Sequence, residues 1–178
     1  MTLESVETLA KHYGFKDYKW ISGHDVVVKQ WVRFSCKFKC PTYGDKPICP
    51  PNMPSIHECE RFFKEYKHIM IIRFHKKAHH RNDDKAVFKS VDESLIDFEK
   101  KLFYQGYYKV MLLPATICAR CETCAKIPDQ CHHKALSRPT PEALGVDVFE
   151  TVKKFGYPLE VLTDYNKTMN RYSFMLVV

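Results

Sequence analysis

Four cysteines fall within fourteen positions of the stretch CARCETCAKIPDQCHHKALSRP, residues 118–139. Their pattern is Cys118-x2-Cys121-x2-Cys124-x6-Cys131. Two successive x2 gaps let a tight loop present three thiolates to one face of a cubane cluster, with a fourth arriving from further along the chain. Structural zinc usually takes two separated pairs of ligands, and here the middle cysteine would belong to both pairs. A third reading, buried free thiols, has to accept a dense cluster of cysteines as chance. The gap before the last cysteine is six residues, where the bacterial ferredoxin run has three.

A second cysteine region precedes it: Cys36-x3-Cys40-x8-Cys49-Pro50-Pro51, in CKFKCPTYGDKPICPP. This spacing is looser. The prolines stiffen the loop and remove donors, and Tyr43-Gly44 supplies a turn. Cys59 follows on a helical face with Ile56, Phe62 and Phe63. It reads either as a small hydrophobe in the core or as a fourth ligand reaching back from the helix. No C-x3-C-x2-C radical-SAM pattern, no G-x-G-x-x-G, no P-loop and no defensible Ser-His-Asp arrangement occurs.

The rest of the composition bounds the chemistry. The chain has 178 residues, 45% of them hydrophobic, which suits one domain with a real core and excludes disorder. No apolar run reaches the length of a membrane span, and MTLESVETLAKHYGF reads as an amphipathic helix rather than a leader. The expectation is a cytoplasmic protein, in a reducing compartment where eight cysteines point to metal rather than disulfides. The formal charge is +7. Two four-iron clusters held by eight thiolates would each carry about two net negative charges, leaving about +3, so the basic balance reads as compensation and nucleic acid as an unfavoured partner. HKKAHHR, residues 75–81, reads as a solvated loop, with docking of an acidic redox partner as the alternative.

The elements that must position these thiols alternate in type. Leu3, Val6, Leu9 and Tyr13 mark a helix ended by Gly14. YKWIS and VVVKQWVRF read as strands joined by an SGHD turn. Ser55 and Glu58 form a capping box for the helix bearing Cys59. HIMIIRF is a buried strand. A long helix follows, capped by Asp83 or Asp84, with Val87, Val91, Leu95, Phe98 and Leu102 in register up to Gly106. YYKVMLL is a further strand, with Tyr107 and Tyr108 in the core. Thr140-Pro141 opens a helix through Leu144, Val148, Val152 and Phe155, ended by Gly156; LEVLT and YSFMLVV close the chain as strands. The expected fold is a single-domain α/β sandwich over residues 1–178 with a mixed sheet. A strand–cysteine loop–helix–strand unit occurs twice, so both cysteine loops should leave one sheet edge, placing two clusters roughly 10–15 Å apart.

CKFKCPTYGDKPICPP with EYKHIMII, and CARCETCAKIPDQCHHKALSRPTPEALGVDVFETVKKFG, resemble a family of small cysteine-rich predicted metal-binding proteins common in anaerobic bacteria and archaea. The resemblance covers roughly residues 30 to 160. It implies bound iron–sulfur clusters, with Cys36, Cys40, Cys49 and Cys59 as ligands in the first region and Cys118, Cys121, Cys124 and Cys131 in the second. Arg138, Pro139, Glu142, Gly145 and Asp147 match the second motif. His132 stands where the family typically has Arg, and Thr140-Pro141 where it has Ser-Met. His132 and His133 read as outer donors to the ligands or as exposed residues. Arg138 reads as a donor to cluster sulfur or to a partner's anion, or as a surface residue paired with Glu142.

The function read from these residues is that of a protein binding two [4Fe-4S] clusters and moving electrons within a larger redox or cofactor-activating assembly, with a redox protein or multi-subunit complex as partner. Two other readings stand beside it. In one, Cys59 is core and an open iron serves an enzyme as Lewis acid. In the other, the cysteines hold structural zinc in an interaction module.

Overall fold

A run such as HIMIIRF, apolar at consecutive positions, can only be satisfied if both of its faces are covered. The computed structural model, which describes residues 2–77, 83–161, 163 and 168–178, does this with helices on both sides of one sheet. The elements run α1 (Leu3–His12), β1 (Tyr18–Ile21), α2 (Gln30–Lys39), α3 (Ile56–Lys64), β2 (Ile69–Lys77), α4 (Asp83–Tyr104), β3 (Met111–Leu113), α5 (Val148–Lys154) and β4 (Thr168–Leu176). The strand order is β1-β2-β4-β3, and every pairing is antiparallel, where a mixed sheet was expected. In register, Ile69 faces Leu176 and Leu176 faces Met111.

Alternation along the strands divides the core in two. Ile69 and Ile71 of β2 and Tyr172, Phe174 and Leu176 of β4 meet Cys59 and Phe63 of α3 and Val148 and Val152 of α5. Met70, Ile72 and Met175 point the other way, onto Val6 and Ala10 of α1 and Leu95, Phe98 and Leu102 of α4. This is the expected α/β sandwich.

Three local expectations fail, each for a tertiary reason. VVVKQWVRF is not a strand: Val28 makes one bridge to Val146, and Gln30 then starts α2. The same contact breaks the helix expected from Thr140 to Phe155. Lys29 N donates to Gly145 O at 2.9 Å and Asp147 N to Val27 O at 2.8 Å. The chain therefore makes a 3-10 turn at Glu142–Leu144, reverses at Gly145 (φ +80°) and restarts as α5 with Asp147 as its cap. That positive φ is what calls for glycine, since a Cβ there would meet Ile56 only at Cδ1, the end of a side chain that can turn aside. Finally, the strand in YYKVMLL shrinks to Met111–Leu113, with Tyr107 buried and Tyr108 exposed.

Leu159–Val161 take no strand conformation, and the remainder of LEVLT includes Leu162, outside the described residues. The same holds for most of HKKAHHR and for the side chains of Asp83, Asp84 and Val87. Among the described residues no helix is long and apolar enough to cross a membrane.

Candidate metal centre

β3 runs directly into the second cysteine loop, and the root of that loop is pinned twice. Ala115 N donates to Ser173 Oγ of β4 at 2.9 Å, and Thr116 Oγ1 donates to Asp92 Oδ2 of α4. Its far end is tied by Arg138, whose Nε and Nη2 grip the Glu99 carboxylate at 3.0 and 2.9 Å. Glu99 is buried and also accepts from Leu112 N at 2.7 Å. The sequence reading paired Arg138 with Glu142 or with a cluster; the guanidinium is instead spent on α4, and its Nη1 donates to the Ala135 and Ser137 carbonyls. No periodicity in the sequence signals that partner.

Between those anchors Cys118, Cys121, Cys124 and Cys131 line one narrow cleft, together with Lys46, Arg120 and His133. Burial pushes the Cys124 thiol up, Lys46 draws it down, and Cys121, Cys118 and Cys131 raise it again. The other three thus lie within electrostatic reach of Cys124. Cys131 Sγ lies 3.7 Å from Ser137 Oγ. His132 and His133 are exposed, with His133 at the rim of the cleft.

The first loop reaches the same place by another route. It leaves the C-terminus of α2, not a strand as the repeated-unit argument required. Helical spacing puts Cys36 on the inner face of α2 with Val32 and Arg33, and Cys40 caps the helix. Asn52 Nδ2 then donates to Lys126 O of the second loop at 3.0 Å, and Lys126 pairs with Asp45 at 3.5 Å. The two cysteine loops therefore meet at one end of the sandwich, although they do not arise as a repeat. The Cys49 thiol is raised by burial first and then by Cys36, Cys40 and, across the loop contact, Cys124. Lys46 acts on both Cys49 and Cys124 and so is a positive charge shared by the two sets.

Cys59 stands apart. It is 2% exposed, packed in the α3 side of the core, and its Sγ donates to Pro54 O at 3.6 Å while accepting from Arg33 Nη2 at 3.8 Å. Burial raises its thiol and Arg33 opposes that. Replacing Cys59 with alanine is expected to leave metal content unchanged and to cost about 1 kcal/mol of packing. Loss of metal from the Cys59→Ala protein, measured against wild type by elemental analysis, would make Cys59 a ligand.

Arg33 is the residue that cysteine spacing did not single out. It acts on the thiols of both Cys36 and Cys59, yet its buried Nε finds no hydrogen-bond acceptor among the described residues. A buried donor with no acceptor is costly, so an anionic group beside Cys36 would satisfy it. All eight cysteines are free thiols. Among the described residues no three Cys, His, Asp or Glu side chains converge into a compact single-ion site. A four-iron cluster accepts thiolates at four separate corners, set further apart than the ligands of one ion. The donor set, thiol-rich and flanked by Lys46 and Arg33, suits an anionic iron–sulfur group.

Beside Cys36 and Cys40 opens a cavity of about 460 Å³. Trp31, Phe149 and Tyr172 form apolar walls, and Glu142 and Arg171 lie among the polar ones. Glu142 is exposed toward that space.

At the root of the second loop, burial lifts the Asp92 carboxyl from its ordinary 3.8 to about 6, against the pull of Thr116, Arg120 and Arg171. A carboxyl raised on folding binds its proton more tightly in the folded chain. Its stabilising contribution is therefore complete below the unfolded value and is lost as pH rises through about 6. Asp92→Asn is expected to flatten the stability profile between pH 4 and 6 and to raise stability at pH 7.5 by about 1 kcal/mol, discounted for partial exposure. Urea titrations at pH 4.5 and 7.5 would contradict this if the variant and wild type differed equally at both.

Residues 19–177 match the family model described as predicted metal-binding protein (DUF2284). No curated protein and no solved structure matches the chain.

Proposed function

The chain belongs to the DUF2284 family of predicted metal-binding proteins, and from that membership we propose that it is an iron–sulfur electron-transfer protein carrying two [4Fe-4S] clusters. Cys118, Cys121, Cys124 and Cys131 would hold one cluster, and Cys36, Cys40 and Cys49 three corners of the other. A [4Fe-4S] cluster supplies reversible one-electron storage.

The observation that carries this reading is the meeting of two cysteine loops at one end of the fold, with Cys49 and Cys124 within electrostatic reach of each other. The chain's own residues do the rest. Arg138 and Asp92 anchor the second loop to α4. Lys46 places positive charge between the sets, which favours the more negative, reduced state of both. Arg33 Nε offers a donor at the first set.

Anaerobically purified protein should contain about eight iron and eight sulfide per chain and absorb broadly in the visible. Stoichiometric zinc without charge-transfer absorption would replace this reading with a structural zinc module.

One observation favours a second reading. Cys59 is packed in the α3 side of the core, and a cavity of ligand size opens beside Cys36 and Cys40. A corner without a protein thiolate leaves room for a small donor molecule in that space, which would make the protein an enzyme. A change in the paramagnetic resonance of the reduced protein on adding a small thiol supports the second reading; an unchanged spectrum supports the carrier alone.

A further inference from the structure

α2 presents its aromatic residues to solvent rather than to the core. At 100° per residue, Trp31, Phe34 and Phe38 fall within about 60° of one another. Val32, Arg33 and Cys36 occupy the opposite side, toward the protein. The three residues are 53%, 54% and 70% exposed. Phe34 and Phe38 lie 5.8 Å apart between centroids, so they form one surface rather than scattered contacts. Phe149 on α5, partly exposed and overlaid by Lys153, lines the same cavity as Trp31 and extends that surface. A contiguous exposed patch of this kind on a small protein marks an interaction site.

Its charge identifies the occupant. Lys29, Lys37 and Lys39 flank the rings along α2, and Asp147, an acidic residue that accepts from Trp31 Nε1 at 3.1 Å, is buried. Lys29, Lys37 and Lys39 are exposed. Aromatic anchors with a basic rim complement an acidic protein surface. A second copy of this chain would set lysines against lysines across a two-fold interface, which like-charge repulsion disfavours.

Position identifies the partner's task. The rings sit on the outer side of the helix whose inner side carries Cys36 and whose end is Cys40. A partner seated on them lies about one helix diameter, 10–12 Å, from the first cysteine set.

We propose that the Trp31–Phe34–Phe38 face of α2 is the docking site for a small acidic one-electron carrier protein. This rests on the iron–sulfur reading for its redox purpose, but not for the contact itself. In the complex the reduced carrier would lose one electron, and an iron–sulfur group held by Cys36, Cys40 and Cys49 would gain it. No bond is made or broken and no proton moves.

The test uses a plant-type [2Fe-2S] ferredoxin, a small acidic protein, as probe, with binding followed by calorimetry so that no turnover is needed. The paired variant Phe34→Ser, Phe38→Ser and the paired variant Lys37→Glu, Lys39→Glu are each expected to weaken binding about tenfold or more. Raising salt from about 50 to about 500 mM should weaken the wild type similarly. Lys100→Glu, a charge reversal on exposed α4, should bind as wild type does. Absence of ferredoxin binding, wild-type affinity in both paired variants, or an equal loss in Lys100→Glu would overturn the proposal. So would a dimer in sedimentation that Phe34→Ser disrupts, or binding to anionic vesicles or single-stranded DNA, but not to ferredoxin, that the same change abolishes. Metal analysis of the same preparation separates the two readings. Zinc-loaded protein that binds ferredoxin through α2 would leave the docking site standing and remove the iron–sulfur assignment.

Discussion

Cys121→Ala protein, purified anaerobically, is expected to carry about four iron and four sulfide per chain, against about eight of each for wild type. Cys121 is the middle ligand of the x2-x2 run, and it lines the narrow cleft with Cys118, Cys124 and Cys131. Without it one iron loses its thiolate, and on this solvent-exposed loop water reaches that iron and strips the cluster, whereas the three thiols of the first set have the Arg33 guanidinium beside them as a donor. The first set, on a different loop with its own cysteines, should keep its metal. Visible absorption should fall by about half. The loop's order should fall as well, because the energy of metal binding is partly folding energy. Retention of all eight iron would remove Cys121 from the ligands and with it the assignment of the second set. Loss of all metal would mean that the two sets fill as one unit.

Arg138→Ala should be the most destabilising single change outside the cysteines and the packed core, at about 3–5 kcal/mol. The side chains of Arg138 and Glu99 are 22% and 6% exposed, and their contact is a two-pronged grip. Removing the guanidinium leaves a buried carboxylate with Leu112 N as its remaining donor among the described residues. It also unties the end of the second loop from α4 and β3, so metal should bind more weakly. Arg138→Lys should recover part of the stability, because one ammonium cannot reproduce the fork. The double variant Glu99→Ala, Arg138→Ala should cost less than the sum of the two single changes, since it leaves no unpaired charge. Urea unfolding measures all three. A cost below about 1 kcal/mol for Arg138→Ala would mean that water reaches the pair and that it does not hold the loop.

The strength of a local signal decided which elements were legible. The Ser55–Glu58 capping box starts α3 as read, with Ser55 Oγ accepting from Glu58 N and the Glu58 carboxylate accepting from Ser55 N. The apolar run around Ile69 becomes a strand covered on both faces, and the long α4 pattern holds up to Tyr104. Where the pattern was ambiguous, a partner distant in sequence decided. Val26–Val28 could begin a strand, and its one bridge, to Val146, lies more than a hundred residues away. That bridge turns Gln30 into a helix start and splits the Thr140–Phe155 segment at Gly145.

The same division runs through the site. Residue type and spacing were enough to mark both cysteine loops and to favour metal, because ligand spacing within one loop is a local property of the chain. That these loops face each other, that Lys46 is shared between them, and that Arg138 belongs to Glu99 rather than Glu142 depend on how β3, α3 and α4 pack. Cys59 shows the boundary most clearly. Its spacing is compatible with ligand and with core alike, and its place beside Phe63, Pro54 and Arg33 follows from which face α3 turns to the sheet. The aromatic face of α2 is the converse case. Trp31, Phe34 and Phe38 look like core in one dimension, and they reach solvent because Val32, Arg33 and Cys36 take the inward side of the helix. A chain records which residues are apolar or can bind metal; only packing decides which of them are turned inward.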